Sequence, residues 1–411
     1  MRPIDSSEQD PRPQAARLST FLGPAFLVAV GYIDPGNWAA NLEAGSRFGY
    51  RLLWVLLASN ALALLFQNLA ARLGVVSGAN LAQNCRSHFP RLAPLLGLAA
   101  VAAMIATDLA EVLGAALGIH LLLGVPLPAA ALMSGAAVLD ILALSRRGHR
   151  PLEVAIFIFI AVIGAAYVVE LAIIRPPDGP ILKGVITPSL DLHSVYLAAA
   201  MLGATVMPHN LFLHSETVRW RLRHDPDPEF RRGMLRLTLL DSVLALNLAW
   251  LINSAIVVMA AAAFFARRIK VVSISEAHRT LEPLFGAGSA AVFAVALTAS
   301  GLSSATTGTL AGQIVLEGFT KLRVGVLTRR LVTLIPALAV ILAGWDEVRV
   351  LVASQAFLAL ALPFAVIPLL VLTSRREIMK EHASGWMLRW AGALGAGLVV
   401  ALDVYLLAGL L

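Results

Sequence analysis

Charge is scarce in this 411-residue chain: Asp, Glu, Lys and Arg together make up 14% of it, where about 25% is usual in a soluble domain. So few charges cannot cover the surface of a water-soluble protein of this size. A soluble enzyme, a disordered chain and a nucleic-acid binder are excluded. Cysteine is reduced to one residue, Cys85, which excludes a disulfide framework and a cysteine-based metal site. Five tyrosines and no sustained ten-residue alternation argue against an outer-membrane barrel. No long polar insert divides the chain, so it reads as one membrane domain. What it has in abundance is apolar surface: 58% hydrophobic residues, or roughly two-thirds with the 31 glycines, against roughly 45–50% in ordinary domains. The net charge of +7 then reads as basic residues gathered in loops on one side of a membrane.

Apolar stretches of about 20 residues fall at 19–42, 51–71, 93–122, 126–145, 152–174, 193–218, 237–265, 288–318, 329–346, 350–373 and 387–410. These predict an all-α membrane protein with eleven transmembrane helices, preceded by a disordered polar tail over 1–18. No small-residue cleavage site marks the first stretch as a removable signal. Of the Lys and Arg residues, 23 fall in one set of alternate loops and nine in the other. The positive-inside rule puts the N-terminus in the cytoplasm, and eleven spans put the C-terminus outside. The Ala- and Arg-rich composition points to a bacterial inner membrane.

The first span is broken by Gly31-Tyr32-Ile33-Asp34-Pro35-Gly36-Asn37-Trp38 and the sixth by Gly203-Ala204-Thr205-Val206-Met207-Pro208-His209-Asn210. Both carry X-Pro-x-Asn. A lone proline kink is tolerated in a membrane helix. Two matched kinks, each beside polar groups and five spans apart, are instead the mark of two inverted repeats, because five is odd. Such paired breaks point to the binding site of a secondary transporter. The repeats are 19–174 and 193–373, and 387–410 is an added helix.

Unwinding at a break frees backbone carbonyls for a cation. Asp34 adds a carboxylate, Asn37 an amide oxygen and Met207 a thioether. Oxygens alone would suit magnesium, calcium or sodium; one soft sulfur shifts the preference to a transition metal such as manganese or iron. The alternative for Met207 is plain packing, since methionine is a common gap-filler.

These two runs resemble the paired signatures of the Nramp family, the proton-linked divalent metal transporters, whose bacterial members carry manganese. Ala106-Thr107-Asp108-Leu109-Ala110-Glu111 in span three and the run Gly301–Gln313 in span eight are also similar to the family. The resemblance covers about residues 20–410. It implies a LeuT-like fold and metal ligation by Asp34, Asn37, Met207 and the Ala204 carbonyl. The Gly31 carbonyl and Gln355 of span ten would join in a more closed state. It implies a polar proton route through Asp34, Asp108, Glu111, His209, Arg329 and Arg330. Retention of Met207 sets the chain apart from a magnesium-selective branch. No permanent cofactor is implied: Mn2+ or Fe2+ and H+ are cargo, cobalt and cadmium further substrates, and membrane lipids the surroundings.

Asp108 and Glu111 lie three apart, on one helical face, and an acidic pair inside an apolar span is expensive enough to suggest function. A structural ion pair with Arg329 or Arg330, or with His209 or His214, is the compatible plainer reading. Glu216 is expected as a solvated or paired end residue. Asp140, Glu153 and Glu170 sit near span ends, where the interface makes them cheap. Ser303, Ser304, Thr306, Thr307 and Thr309 are expected to act as helix–helix glue. The basic loop around Arg219–Arg232 is expected to contact anionic lipid, with Pro226 and Pro228 keeping it from helix. Three other functions stay open: an amino-acid or organic-cation carrier, whose substrate carboxylate Asp34 would repel; an intramembrane enzyme using Asp34 and Asp108; and a channel, whose flux would need no proton gradient.

Overall fold

A computed structural model describes residues 23–222, 228–269, 274–322 and 324–410 of the chain. The tail expected over 1–18 lies outside them. The chain runs through α1 (Pro24–Ala29), a 3-10 turn (Val30–Ile33), α2 (Pro35–Phe48), α3 (Leu53–Ser77), the short α4 (Leu81–His88), α5 (Ala93–Leu123), α6 (Leu127–Ala143) and α7 (His149–Ile174). It continues through the short α8 (Asp178–Ile186), α9 (Leu192–Val206), α10 (Pro208–Thr217), α11 (Pro228–Ala263), the short α12 (Ile274–Phe285), α13 (Ala287–Thr320) and α14 (Val326–Leu342). The last elements are α15 (Glu347–Ala361), α16 (Pro363–Ser374), α17 (Arg376–Met379) and α18 (Trp386–Leu410). The described residues form no strand.

Eight helical stretches among the described residues are long and apolar enough to cross a membrane. The first span is divided by its break, and α6 and α14 have 17 residues each, so these three fall short of the 18-residue length. The protein is an all-α integral membrane protein; the count of eleven remains an expectation. Burial sorts the helices. The sixth span is 89% buried over its apolar window, against 28% for α7 and 22% for α18. A helix apolar all round belongs in the interior, and the two broken spans hold the centre while α7 and α18 face lipid.

The two halves meet span against corresponding span: α2 on α9, α3 on α11, α5 on α13 and α6 on α14. That pairing is what an inverted repeat produces. The α5–α13 contact is the most extensive, and small residues allow it. A Cβ on Gly301 would stand 2.5 Å from the Ala115 backbone, and one on Gly118 2.6 Å from the Thr298 amide nitrogen. Much of the hydroxyl run of span eight, expected to bridge helices, bonds back along its own helix. Ser303 donates to the Ala299 carbonyl at 2.6 Å, Thr306 to Leu302 at 2.8 Å and Thr309 to Ala305 at 2.8 Å, each one turn back on α13. Close packing of small residues brings the helices together there.

Three other expectations are corrected. Pro228 does not stop a helix but opens α11, since the first helical position needs no N–H; Arg231, Arg232 and Arg236 are therefore helical. Glu153 is buried, with Arg221 Nη2 at 2.6 and 2.5 Å from its two oxygens and Arg150 Nη1 at 3.1 Å. Glu170 is 1% exposed and accepts from Ser289 Oγ at 2.7 Å. Both lie near span ends but face inward. Glu216 is paired as expected, with Arg219 and with Asn80 Nδ2 at 2.8 Å. Outside the spans, Asp191 caps α9; bonds from Ser194 and Arg51 hold its carboxyl below the usual carboxylate range.

Candidate metal centre

Proline chemistry makes both breaks. The residue before a proline is pushed out of the helical region, and proline itself suits the first position of a new helix. Asp34 accordingly has φ −68° and ψ 164°, and Pro35 opens α2. Met207 has φ −13° and ψ 119°, and Pro208 opens α10. Having no N–H, Pro35 cannot donate to the carbonyl four residues back, on Gly31, nor Pro208 to that on Ala204. The two prolines thus withhold a helical donor from the two carbonyls that the family resemblance singles out.

The third residue of each new helix reaches back over the gap. Asn37 N and Nδ2 donate to Asp34 Oδ1 at 2.9 and 2.8 Å, and Nδ2 also donates to the Ala204 carbonyl at 2.8 Å. One side chain thereby ties the first break to the second. Asn210 mirrors it. Its Nδ2 lies 3.6 Å from Met207 Sδ, and a Cβ on Gly31 would stand 2.6 Å from that nitrogen. Gln355 arrives from α15, which packs on both α2 and α9. Its amide lies against Gly36, beside Asp34 Oδ2, in space that any side chain at 36 would fill. Met207 packs on Ala103 of α5 and on Leu358 and Ala361 of α15. Around the break, Trp38 Nε1 donates to the Ile33 carbonyl at 3.1 Å, Ser300 Oγ donates to it too, and Asn253 Nδ2 donates to the Tyr32 carbonyl at 2.5 Å.

Asp34, Asn37, Ala204, Met207 and Gln355 are all 0% exposed. Even so, Asp34 Oδ2, Asn37 Oδ1, Gln355 Oε1 and Asn210 Oδ1 have no hydrogen-bond partner among the described residues. Buried polar atoms are nearly always paired, and an orphaned acceptor costs about 1–3 kcal/mol. Several orphaned acceptors around one carboxylate are chemically fit for a cation. Among the described residues no three His, Cys, Asp or Glu side chains cluster as a metal site. A cation here would have one carboxylate, neutral oxygens and a thioether.

The sequence profile of Nramp, "Natural resistance-associated macrophage protein-like", matches residues 25–409. The chain belongs to the Nramp family. The divalent metal cation transporter MntH of Chromohalobacter salexigens is 44% identical over 402 residues, covering 96% of this chain and 93% of that one. The MntH of Deinococcus radiodurans is 42% identical over 393 residues, 95% of this chain and 90% of that one. The Eremococcus coleocola manganese transporter, crystallised with an aromatic bis-isothiourea substituted compound, superposes with a TM-score of 0.87 at 32% identity, covering 99% of this chain and 90% of that one. Mhp1, a nucleobase-cation-symport-1 family transporter, is only 16% identical but has a TM-score of 0.60 over 95% of this chain and 90% of its own; it shares the fold. That fold is the LeuT-like 5+5 inverted repeat with helices one and six broken.

In this Nramp chain the acidic pair sits on α5, the helix that packs on Met207 through Ala103 and on Pro35 through Gly114. Asp108 and Glu111 on α5 are 5% and 0% exposed, and Glu111 packs directly on Gly308 of α13. His209 Nδ1 lies 3.3 Å from Thr107 Oγ1, one residue from Asp108. His214 belongs to a different chain of bonds, through Gln67 at 2.9 Å to the Tyr32 hydroxyl at 2.7 Å. Arg329 and Arg330 fall in the first turns of α14, which packs on α5; their side chains lie outside the described residues. Asn210, Asn253, Ser300 and Thr107 were missed as site neighbours. Asn210 had a signal in the repeated X-Pro-x-Asn spacing and Thr107 in its place beside Asp108 in the run 106–111; Asn253 and Ser300 had none.

Proposed function

We propose that this Nramp chain is a secondary active transporter that imports divalent transition-metal ions together with protons. Manganese is the foremost substrate, with iron, cobalt and cadmium as others. The observation that carries the reading is the set of buried acceptors on Asp34, Asn37 and Gln355 that have no donor among the described residues, beside two proline-made breaks and a thioether. Asp34 and Asn37 would hold the ion from one half, and Met207 and the Ala204 carbonyl from the other. Gln355 and the Gly31 carbonyl would close on it. The thioether favours transition metals over the more abundant magnesium and calcium. The names of the relatives, divalent metal cation and manganese transporters, support the same substrate class.

A divalent cation at Asp34 competes with a proton for the carboxylate, which links the two cargoes. The proton leaves by Asp108, Glu111 and His209, with Arg329 and Arg330 at the cytoplasmic end; the contact of His209 with Thr107 supports this route. Alternating access follows from ligands drawn from both halves, because rocking the broken spans against the rest opens the centre to one side at a time. The loop charges put the N-terminus in the cytoplasm and the C-terminus outside.

The test is manganese uptake into proteoliposomes with an inward proton gradient on and off. Uptake should saturate, quicken several-fold with the gradient and vanish in Asp34→Asn. Unsaturable uptake indifferent to the gradient would make the protein a channel. Full uptake by Asp34→Asn would remove the centre from the mechanism.

A further inference from the structure

At the start of α18, two adjoining clefts of about 560 and 440 Å3, lined by none of the candidate metal-site residues, share Arg376, Ser384, Gly385 and Arg389 as walls. Lys380 and Glu381 line one of them, Trp386, Trp390 and Ala393 the other. Three cations thus face one carboxylate, and that carboxylate has its own neighbour: Glu381 Oε1 lies 3.4 Å from His382 Nε2. Arg376 and Lys380 are exposed and form no ion pair among the described residues.

The floor of the cleft is built rather than incidental. Ser384 is 3% exposed, and its backbone N–H donates to the Thr373 carbonyl at 2.9 Å. Arg389 Nε donates to the Ser384 carbonyl at 2.7 Å and Nη2 to the Ser374 carbonyl at 2.8 Å. The guanidinium is therefore fixed in place with N–H groups to spare. The Ser384 hydroxyl, by contrast, is buried with no hydrogen-bond partner among the described residues. Gly385 and Trp386 bring the N-terminus of the 25-residue α18 to the same place, where free N–H groups and the helix dipole favour an anion.

One half of this cleft is apolar. Trp386 and Trp390 are 73% and 65% exposed and lie one turn apart on α18. Beyond them the exposed face continues through Leu394 and Leu398. Tryptophan at a helix end marks the headgroup level of a bilayer. The loop-charge count puts this end at the cytoplasmic surface, where anionic lipids gather.

We propose that this cleft binds an anionic phospholipid, its headgroup phosphate held by Arg376, Lys380, Arg389 and the Ser384 hydroxyl and its acyl chains laid along α18. The inference is independent of the transport reading. A free phosphate shares the headgroup chemistry but makes no use of the apolar wall.

The test is native mass spectrometry of the detergent-solubilised full chain, titrated with phosphatidylglycerol, with phosphatidylcholine of the same acyl chains, or with phosphatidylglycerol plus millimolar inorganic phosphate. One phosphatidylglycerol should be retained in preference to phosphatidylcholine and resist inorganic phosphate. Retention should weaken about 30-fold in Arg376→Ala/Lys380→Ala, from the loss of two cations near an anionic headgroup. Both side chains are exposed, so that variant leaves the fold intact, as a matching melting temperature will verify. Equal retention of the two lipids, or unchanged retention in the double variant, overturns the proposal. Displacement by inorganic phosphate overturns the lipid and leaves a plain anion site.

Discussion

Replacing Pro208 by alanine tests the origin of the proposed metal centre at its root. Pro208 lacks the N–H that would donate to the Ala204 carbonyl, and that carbonyl instead accepts Asn37 Nδ2 at 2.8 Å. Pro208→Ala restores a helical donor. It also lifts the steric bar that keeps Met207 out of the helical region. A protein hydrogen bond is worth about 1 kcal/mol net, and a metal that recruits the Ala204 carbonyl must first break this one. Manganese binding should therefore weaken about fivefold, since 1.4 kcal/mol corresponds to about tenfold. Turning Met207 into the helix would weaken it further. Isothermal titration of manganese into the solubilised protein measures the change. Pro363→Ala is the control. Leu362 is helical there (φ −62°, ψ −41°), and its N–H already donates to the Ala359 carbonyl at 3.0 Å, so affinity should not move. If Pro208→Ala binds manganese as tightly as the unmodified protein, the freed-carbonyl argument is wrong.

Gly301→Val should destabilise the protein by about 1–3 kcal/mol, the usual result of overpacking, because its Cβ would stand 2.5 Å from the Ala115 backbone; a melting temperature in detergent unchanged from wild type would contradict the close α5–α13 contact. Arg221→Ala should be destabilising by about 3 kcal/mol, the low end for a broken buried ion pair, since the exposed Arg150 still reaches Glu153. Adding Glu153→Gln should restore part of that loss by removing the stranded charge, and denaturation midpoints of the single and double variants decide it.

What could be read from the sequence was what proline dictates locally. Asp34 and Met207 each precede a proline, so their departure from helix, and with it the two breaks, follows from backbone sterics alone. The inverted repeat followed from the odd separation of those breaks, whereas the LeuT-like fold came only with the family resemblance. Lateral packing was not readable in the same way. Glu153 and Glu170 were placed by their distance along a span, which says how deep a residue lies but not which neighbour it faces; both turn inward. Gln355 carries no local signal, because its place depends on α15 crossing α2 and α9, and only the family resemblance pointed to it. The short helices α4, α8 and α12, of 8, 9 and 12 residues, are too short to leave the roughly twenty-residue apolar signature of a span. The hydroxyls of α13 could equally bond across helices or back one turn, and spacing does not distinguish the two.

The central claim is that a thioether at the second break, Met207, joins the oxygens of the first to select transition metals. Manganese uptake by proteoliposomes, measured against a large excess of magnesium or calcium in the unmodified protein and in Met207→Ala, tests it most directly. The account predicts that uptake by the unmodified protein withstands the excess and that Met207→Ala still carries manganese but is inhibited by magnesium. Equal inhibition of both proteins by magnesium, or undiminished resistance in Met207→Ala, would reduce Met207 to packing and remove the basis for the transition-metal assignment.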